Sequence, residues 1–249
     1  MKPILTTIAL VTAAYFGITD QLQAAEIKVL SANGAKLILA ALVPEFERTT
    51  NNRVTIAYGE AGVLRKRIQN DEPFDIVFLP AGWHEIRGKV AGDPISIGHT
   101  DLGMAVPSNA PRPDIGSKDA LRLTLLGARS IVYTDPTSGG ISGVLFERAL
   151  ERLGIKDEVS KKSRLVAGAL NAIFVARGEA DLAVQLASEI LAVPGVQFVP
   201  MPPEFHASVT FSGAVSTSAQ DPPAAEALLR FLIAPSAAPF IRAIGYEPG

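Results

Sequence analysis

Apolar and polar residues alternate along the chain in short runs that predict strands and amphipathic helices in turn. In the first part of the chain, β-branched and aromatic runs predict strands over residues 26–31 (EIKVLS), 54–57 and 74–79 (FDIVFL). Apolar residues at helical spacing predict helices over residues 35–47, 63–70 and 83–90. Pro44 lies inside the first helical pattern and is expected to kink or break it. Strands that alternate with helices predict an α/β fold with parallel pairing and right-handed crossovers.

The second part of the chain repeats this alternation. Strands are predicted over residues 101–106, 130–134, 181–185, 196–201 and 209–216, and helices over residues 142–153, 170–177, 222–233 and 236–243. Two strand-like crossings, near Met104 and near Phe211, would divide the chain into two lobes joined by a hinge. The predicted domains are a first lobe of residues 25–104, a second lobe of residues 105–211, and a return to the first lobe over residues 212–249.

The N-terminal segment has the features of a secretory signal peptide. Lys2 precedes an apolar run from Ile4 to Ile18, and Leu22 and Ala24 stand where a signal peptidase accepts small or modest side chains. We expect residues 1–24 to be cleaved and the mature protein to be periplasmic. A membrane anchor is the alternative, but the apolar run is short for a bilayer span, so no stable membrane insertion is expected after cleavage.

Composition narrows the classes of function. The formal net charge is -2, and the Lys and Arg residues are scattered, so nucleic acid is not an expected partner. The sequence contains no cysteine, which excludes disulfides, thiolate metal sites and a cysteine nucleophile. Its three histidines, His84, His99 and His206, show no metal-ligand spacing, so neither a metal nor a cofactor is expected. No nucleophile elbow or paired carboxylates stand out either, so no catalytic residue is predicted from pattern alone.

The candidate ligand residues lie where predicted strands end and helices begin. Ligands in open α/β sheets bind at the carboxyl ends of the strands, and helix N-termini there offer free N–H groups to an anion. The candidates are Ser31, Ala32, Asn33, Gly34, Glu60, Ala61, Thr137, Ser138, Gly139, Gly140 and Gln185. Ordinary helix caps and flexible loops are the alternative interpretation of these turns, and for Glu60 the alternative is a solvated loop acid or a charge at a helix N-terminus.

The order and spacing of several segments carry a family resemblance. These segments are VLSANGAKLIL, VTIAYGEAGVLRKRI, FDIVFLPAG, YTDPTSGGISG, ARGEADLAVQLASEI and LLRFLIAPSAAPFIRAIGY. With them the chain resembles the periplasmic molybdate-binding proteins of ABC transporters and their divergent relatives. The resemblance implies a two-lobed periplasmic-binding-protein fold of type II, in which each lobe is a mostly parallel sheet flanked by helices. It also implies capture of a small anion by lobe closure and a partner permease in the inner membrane.

Three positions depart from the pattern of the molybdate binders. Asn33 and Glu60-Ala61 stand where that family has serines, and Gln185 stands where it has a tyrosine. A hydrogen bond to a charged group is worth roughly 1.5–3 kcal/mol, so the loss of two hydroxyl donors and the gain of an acid disfavour molybdate. A small organic acid suits the remaining amides, serines and helix N-termini better.

Two alternatives to a transport receptor stay open. The chain also resembles aconitate isomerase, a periplasmic enzyme, and on that interpretation Glu60 is the candidate base, with Asn33, Ser138 and Gln185 as carboxylate donors. A periplasmic sensor that signals to a membrane partner would close on its ligand in the same way.

Overall fold

The structure is a computed structural model that describes residues 24–249. The predicted signal peptide, apart from Ala24, lies outside the described residues. The strands are β1 (Glu26–Ala32), β2 (Arg53–Gly59), β3 (Ile76–Leu79), β4 (Val90–Pro107), β5 (Ile131–Thr134), β6 (Ser163–Val166), β7 (Leu182–Leu186), β8 (Val196–Pro200) and β9 (Ser208–Ser216).

Helices flank these strands. The α-helices are α1 (Lys36–Thr50), α2 (Ala61–Gln69), α3 (Lys118–Gly127), α4 (Ile141–Leu153), α5 (Lys156–Ser160), α6 (Ala172–Ala176), α7 (Ala187–Leu191), α8 (Pro222–Leu232) and α9 (Ala238–Ala243). Short 3₁₀ helices occur at Asn33–Ala35, Trp83–Lys89, Pro136–Ser138, Pro203–Phe205 and Pro235–Ala237.

The strands form two sheets that share the long strand β4. In the first sheet the order is β2-β1-β3-β9-β4; β1 runs parallel to β2 and β3, and β9 is antiparallel to β3 and β4. In the second sheet β5 lies parallel between β6 and β7, and β4 is antiparallel to β7 and β8. The predicted two-lobed α/β architecture is therefore confirmed.

The lobes meet where β4 changes partners. Residues 90–101 of β4 pair with β9, and residues 102–107 pair with β7 and β8. At the change, the Leu102 N–H donates to the Ala207 carbonyl over 2.8 Å, so the two crossings of the chain are joined to each other. We name residues 24–101 and 208–249 lobe 1, and residues 102–207 lobe 2. The domain boundaries expected at residues 104 and 211 stay a prediction; the change of partners lies a few residues before each.

The pattern of buried residues explains why these segments form strands and helices. All four residues of β3 are buried, as a strand covered on both faces requires. Helix α1 buries one apolar face, and its Phe46 packs edge to face against Phe231 of α8, with ring centroids 5.6 Å apart.

Pro44 does not break α1, which continues to Thr50. Pro44 and Ala40 both lie on the exposed face of the helix, so the hydrogen bond that Pro44 cannot donate to the Ala40 carbonyl is missing on the solvent side and not in the core. Within the described residues, no single helix is long and apolar enough to span a membrane. Two consecutive segments, Pro222–Leu232 and Pro235–Ala243, would be long and apolar enough only if taken together, and they are bent by 51° relative to each other.

Candidate functional site

A cavity of about 150 Å³ lies between the two lobes. Lobe 1 contributes the ends of β1 and β2, the start of α1, and Phe211 and Tyr246. Lobe 2 contributes the ends of β5 and β7, the start of α4 and the loop before α6. The polar and charged side chains that line it are Asn33, Lys36, Glu60, Thr134, Ser142, Gln185, Glu189 and Tyr246.

Two helices from opposite lobes begin at this cavity. Helix α2 follows Glu60, and α4 follows Gly140; neither cap residue gives a side-chain hydrogen bond to its helix. The first turn of a helix has N–H groups without intrahelical acceptors and carries the positive end of the helix dipole. The facing starts of α2 and α4 therefore favour negative charge in the space between the lobes.

Glycines allow these helix starts to approach each other. Gly139, whose φ is +84°, leaves no room for a side chain, since a Cβ there would lie 3.0 Å from the backbone N and Cα of Gly62. A positive φ is also a conformation that residues with a side chain seldom adopt. The contact between Gly62 and Gly139 thus joins lobe 1 to lobe 2 beside the cavity.

Glu60 reaches across the gap between the lobes. Its Oε1 accepts hydrogen bonds from Asn33 Nδ2 and from the Gly168 backbone N–H, each over 3.1 Å. Its Oε2 faces Gly140, where a Cβ would lie 3.1 Å away. Asn33 and Glu60, both predicted to contact ligand, therefore contact each other, and Glu60 binds a donor of lobe 2 as an anionic ligand would.

Gln185 organises the cavity wall. Its Oε1 accepts from the Asn171 N–H over 2.8 Å, and its Nε2 donates to the Ala169 carbonyl over 2.9 Å. Thr134 Oγ1 accepts from Ser142 Oγ over 2.9 Å and from Asn171 Nδ2 over 3.2 Å. These bonds hold the loop of residues 168–171 against the ends of β5 and β7.

Seven of the predicted ligand residues line this cavity: Ala32, Asn33, Gly34, Glu60, Ala61, Gly140 and Gln185. Their role in binding stays a prediction.

The other four predicted ligand residues, Ser31, Thr137, Ser138 and Gly139, lie outside the lining. Ser31 is fully buried and donates to the Ala32 carbonyl. The hydroxyl groups of Thr137 and Ser138 donate to Asp135, over 2.7 Å and 2.6 Å, because these residues build the turn between β5 and α4. These hydroxyl groups are therefore used within the turn and do not face the cavity.

Glu189 is the acid that the sequence patterns did not single out. It lies in the first turn of α7, where the Leu186 N–H donates to its Oε2 over 3.3 Å. Desolvation, with a smaller contribution from the negative charge of Glu60, raises the pKa of Glu189 to about 7. The signal that could have found it is an acid placed three residues after a buried strand end, close to Gln185.

Tyr246 closes the lobe 1 side of the cavity. Its hydroxyl donates to the Gly34 carbonyl, and its ring packs edge to face against Phe211, 6.3 Å between centroids. Burial raises the pKa of the Tyr246 phenol, so it stays a neutral donor. Within residues 24–249, no group of three or more acidic or histidine side chains is arranged to hold a metal ion.

The chain is similar to several known proteins. The family model for the bacterial extracellular solute-binding proteins matches residues 27–247. An aconitate isomerase from Pseudomonas sp. is 33% identical over 231 residues, which cover 88% of this chain and 87% of the relative. The molybdate-binding protein ModA of Azotobacter vinelandii is 27% identical over 239 residues, which cover 90% of each chain.

The solved structures agree on the architecture. The periplasmic molybdate-binding protein of Azotobacter vinelandii superposes with a TM-score of 0.74 at 21% identity, covering 90% of this chain and 99% of that one. At that identity the likeness concerns the fold, and it is the two-lobed fold described above.

Proposed function

The chain belongs to the family of bacterial extracellular solute-binding proteins, and from that premise we propose that it captures a small organic polycarboxylate by closing its lobes. It acts in the periplasm and delivers the ligand to an inner-membrane permease of an ABC transporter. The observation that carries the proposal is the pair of helix N-termini, of α2 and α4, that face one small cavity from opposite lobes.

The chemistry of the cavity favours carboxylates over a tetrahedral oxyanion. The donors of Asn33 and Gly168 are already engaged by Glu60, and Glu189 adds a second acid to the lining. A compact tetrahedral dianion concentrates its charge at one point and cannot place it away from both acids within one small cavity. A longer carboxylate ligand can place its charges at the two helix starts and keep its carbon skeleton against the apolar wall that includes Phe211.

A binding panel tests this proposal. Purified residues 25–249 are titrated with trans-aconitate, succinate, sulfate and molybdate, and the melting temperature and binding heat are measured. At a hundredfold excess over its Kd, a ligand stabilises the fold by about 2.7 kcal/mol. Stabilisation by the carboxylates supports the proposal; stabilisation by molybdate alone, or by none of the four, contradicts it.

A matched pair of variants tests whether the ligand binds in the cavity. Asn33→Asp removes the Nδ2 donor to Glu60 and adds a third acid, so we expect trans-aconitate to bind at least tenfold more weakly. Asn109→Asp makes the same chemical change at an exposed position of lobe 2 and should leave the affinity unchanged. Equal affinities of the two variants would exclude this cavity as the binding site.

The second candidate is an isomerase that moves a proton along the carbon skeleton of a tricarboxylate. It is supported by the relative at 33% identity and by the two carboxyl groups, of Glu60 and Glu189, that face one cavity. A carboxyl group with a pKa near 7 can act as base and then as acid at neutral pH. One C–H bond breaks and another forms, so the reaction requires no external reactant.

A turnover assay separates the two candidates. Trans-aconitate is incubated with catalytic amounts of the protein in D₂O, and NMR follows the cis isomer and deuterium uptake. Many conversions per protein molecule support the isomerase, whereas tight binding without conversion supports the receptor.

A further inference from the structure

The cavity favours an anion and is also lined by two acids, and these two features are compatible only if one of the acids is protonated. Helix starts from both lobes favour an anion, yet the carboxyl groups of Glu60 and Glu189 share the same lining. The one cationic side chain of the described lining is Lys36, an exposed residue whose Nζ lies 5.4 Å from the Tyr58 ring centroid. A polycarboxylate that enters this space meets two acids, and neither has an ion-pair partner among the described residues.

Hydrogen bonding distinguishes the two acids. Glu60 Oε1 accepts from Asn33 Nδ2 and the Gly168 N–H, and such donors stabilise an ionised carboxylate. Desolvation by the cavity wall has the largest effect on the Glu189 carboxyl group, and it outweighs the hydrogen bonds from the Leu186 N–H, over 3.3 Å, and from the Gln185 side chain. A proton shared between these acids therefore belongs on Glu189.

We propose that Glu189 is a specificity-determining acid that binds the ligand in its protonated form, so that capture of a polycarboxylate takes up one proton. The inference rests on the proposed function, namely that this cavity holds a small carboxylate. The protonated Glu189 donates its O–H to a ligand oxygen, whereas the ionised form repels the ligand. The raised pKa of Glu189, about 7, agrees with this arrangement.

The groups that face Glu189 from the neighbouring elements are few. Glu60 and the neutral phenol of Tyr246 face it from lobe 1. Strands β7 and β8 carry no ionisable side chain, and Gln185 of β7 is the polar group beside it. On β4, Thr100 is bonded to the Ser188 N–H. The ionisable residues of that strand are Asp93, His99 and Asp101, and none of them is among the groups that shift the pKa of Glu189. Among these groups Glu60 is the one whose charge acts on Glu189, and an entering anion acts in the same direction.

Titration calorimetry in two buffers measures how many protons the protein takes up when it binds the ligand. Trans-aconitate is titrated into the wild-type protein at pH 8, where all three ligand carboxyl groups are ionised, in two buffers of different ionisation enthalpy. The dependence of the heat on the buffer should correspond to uptake of close to one proton per ligand. Since binding and protonation are linked, the affinity should fall by up to tenfold per pH unit above pH 7.

Glu189→Gln should bind without proton uptake and with an affinity that does not change between pH 6 and pH 8.5, because the amide donates at every pH. Glu158→Gln, on the exposed surface of α5, is the matched control and should behave as the wild type. Uptake that persists in Glu189→Gln overturns the inference, and so does wild-type binding without uptake, a result that needs no folded variant. Absence of all ligand binding by the wild type instead contradicts the proposed function.

Discussion

Burial beside Glu60 keeps the Glu189 carboxyl group protonated up to a pH of about 7 in the folded protein. In the unfolded chain the same group has the ordinary pKa of a glutamate side chain, 4.5. The folded state therefore binds this proton more tightly, and the stability that it provides is complete below pH 4.5. As the pH rises from 4.5 to 7, the unfolded chain releases the proton first, so this contribution to the free energy of unfolding is lost.

We expect the free energy of unfolding of the wild type to fall between pH 5 and pH 8, relative to that of Glu189→Gln, by as much as about 3 kcal/mol. Urea denaturation of both proteins at the two pH values measures this difference. Glu158→Gln, at an exposed position, corrects for the general effect of removing a carboxylate. Parallel pH profiles of the wild type and Glu189→Gln would show that Glu189 ionises normally in the fold.

At the residue scale, the sequence predicts where the cavity lies better than it predicts which atoms face it. Asn33, Glu60 and Gln185 were found because each lies where a strand ends, and sheet geometry brings such positions together. Their partners were not predictable. The Tyr246 hydroxyl binds the Gly34 carbonyl across 212 positions of sequence, and no local pattern reports a contact of that range.

At the element scale, the junction between β5 and α4 depends on close backbone packing at one glycine. A Cβ on Gly143 would lie 1.9 Å from the Thr134 carbonyl oxygen, which is backbone and cannot rotate away. This approach fixes the start of α4 relative to the end of β5, and so aims the helix N-terminus at the cavity.

Gly143→Ala should therefore destabilise the protein by about 2–3 kcal/mol, near the upper end of the usual cost of overpacking. Gly127→Ala, at the last residue of α3, has open space for its methyl group and should be neutral or stabilising by up to about 1 kcal/mol. Urea denaturation compares the two variants. Equal stability of the pair would mean that α4 shifts freely, and the cavity geometry at its start would then need revision.

Element prediction succeeded where one pattern dominates and failed where patterns conflict. Strands β1 and β3 were predicted because a short, nearly continuous apolar run is typical of a strand that is buried on both faces. No strand was predicted for the first half of β4, because AGDPISIGHT contains two glycines and a proline, residues that are depleted in strands. The strand accommodates those residues with register shifts against β9. Helix α7 has five residues, too few for a helical period to be visible.

At the scale of the whole molecule, the two lobes meet at a hinge and again at the cavity. The hinge is the pair of crossings joined by the Leu102–Ala207 hydrogen bond. Beside the cavity, the contacts are the approach of Gly62 to Gly139 and the bond from the Gly168 N–H to Glu60. Because Glu60 binds lobe 2 from lobe 1, it stabilises closure without a ligand, and a ligand that binds must supply more than Glu60 already does.

Removal of the Glu60 carboxylate should open the ligand-free protein. A hydrogen bond to a charged group is worth roughly 1.5–3 kcal/mol, so Glu60→Ala should shift the equilibrium towards the open form by about one to two orders of magnitude. Small-angle X-ray scattering at pH 6 measures this as an increase in the radius of gyration. At that pH Glu189 carries its proton, so relief of repulsion between the two acids does not oppose the loss of the bond. Glu226→Ala, on the exposed face of α8, is the control and should scatter as the wild type. An unchanged profile for Glu60→Ala would mean that the glycine contact and the hinge hold the lobes closed without Glu60.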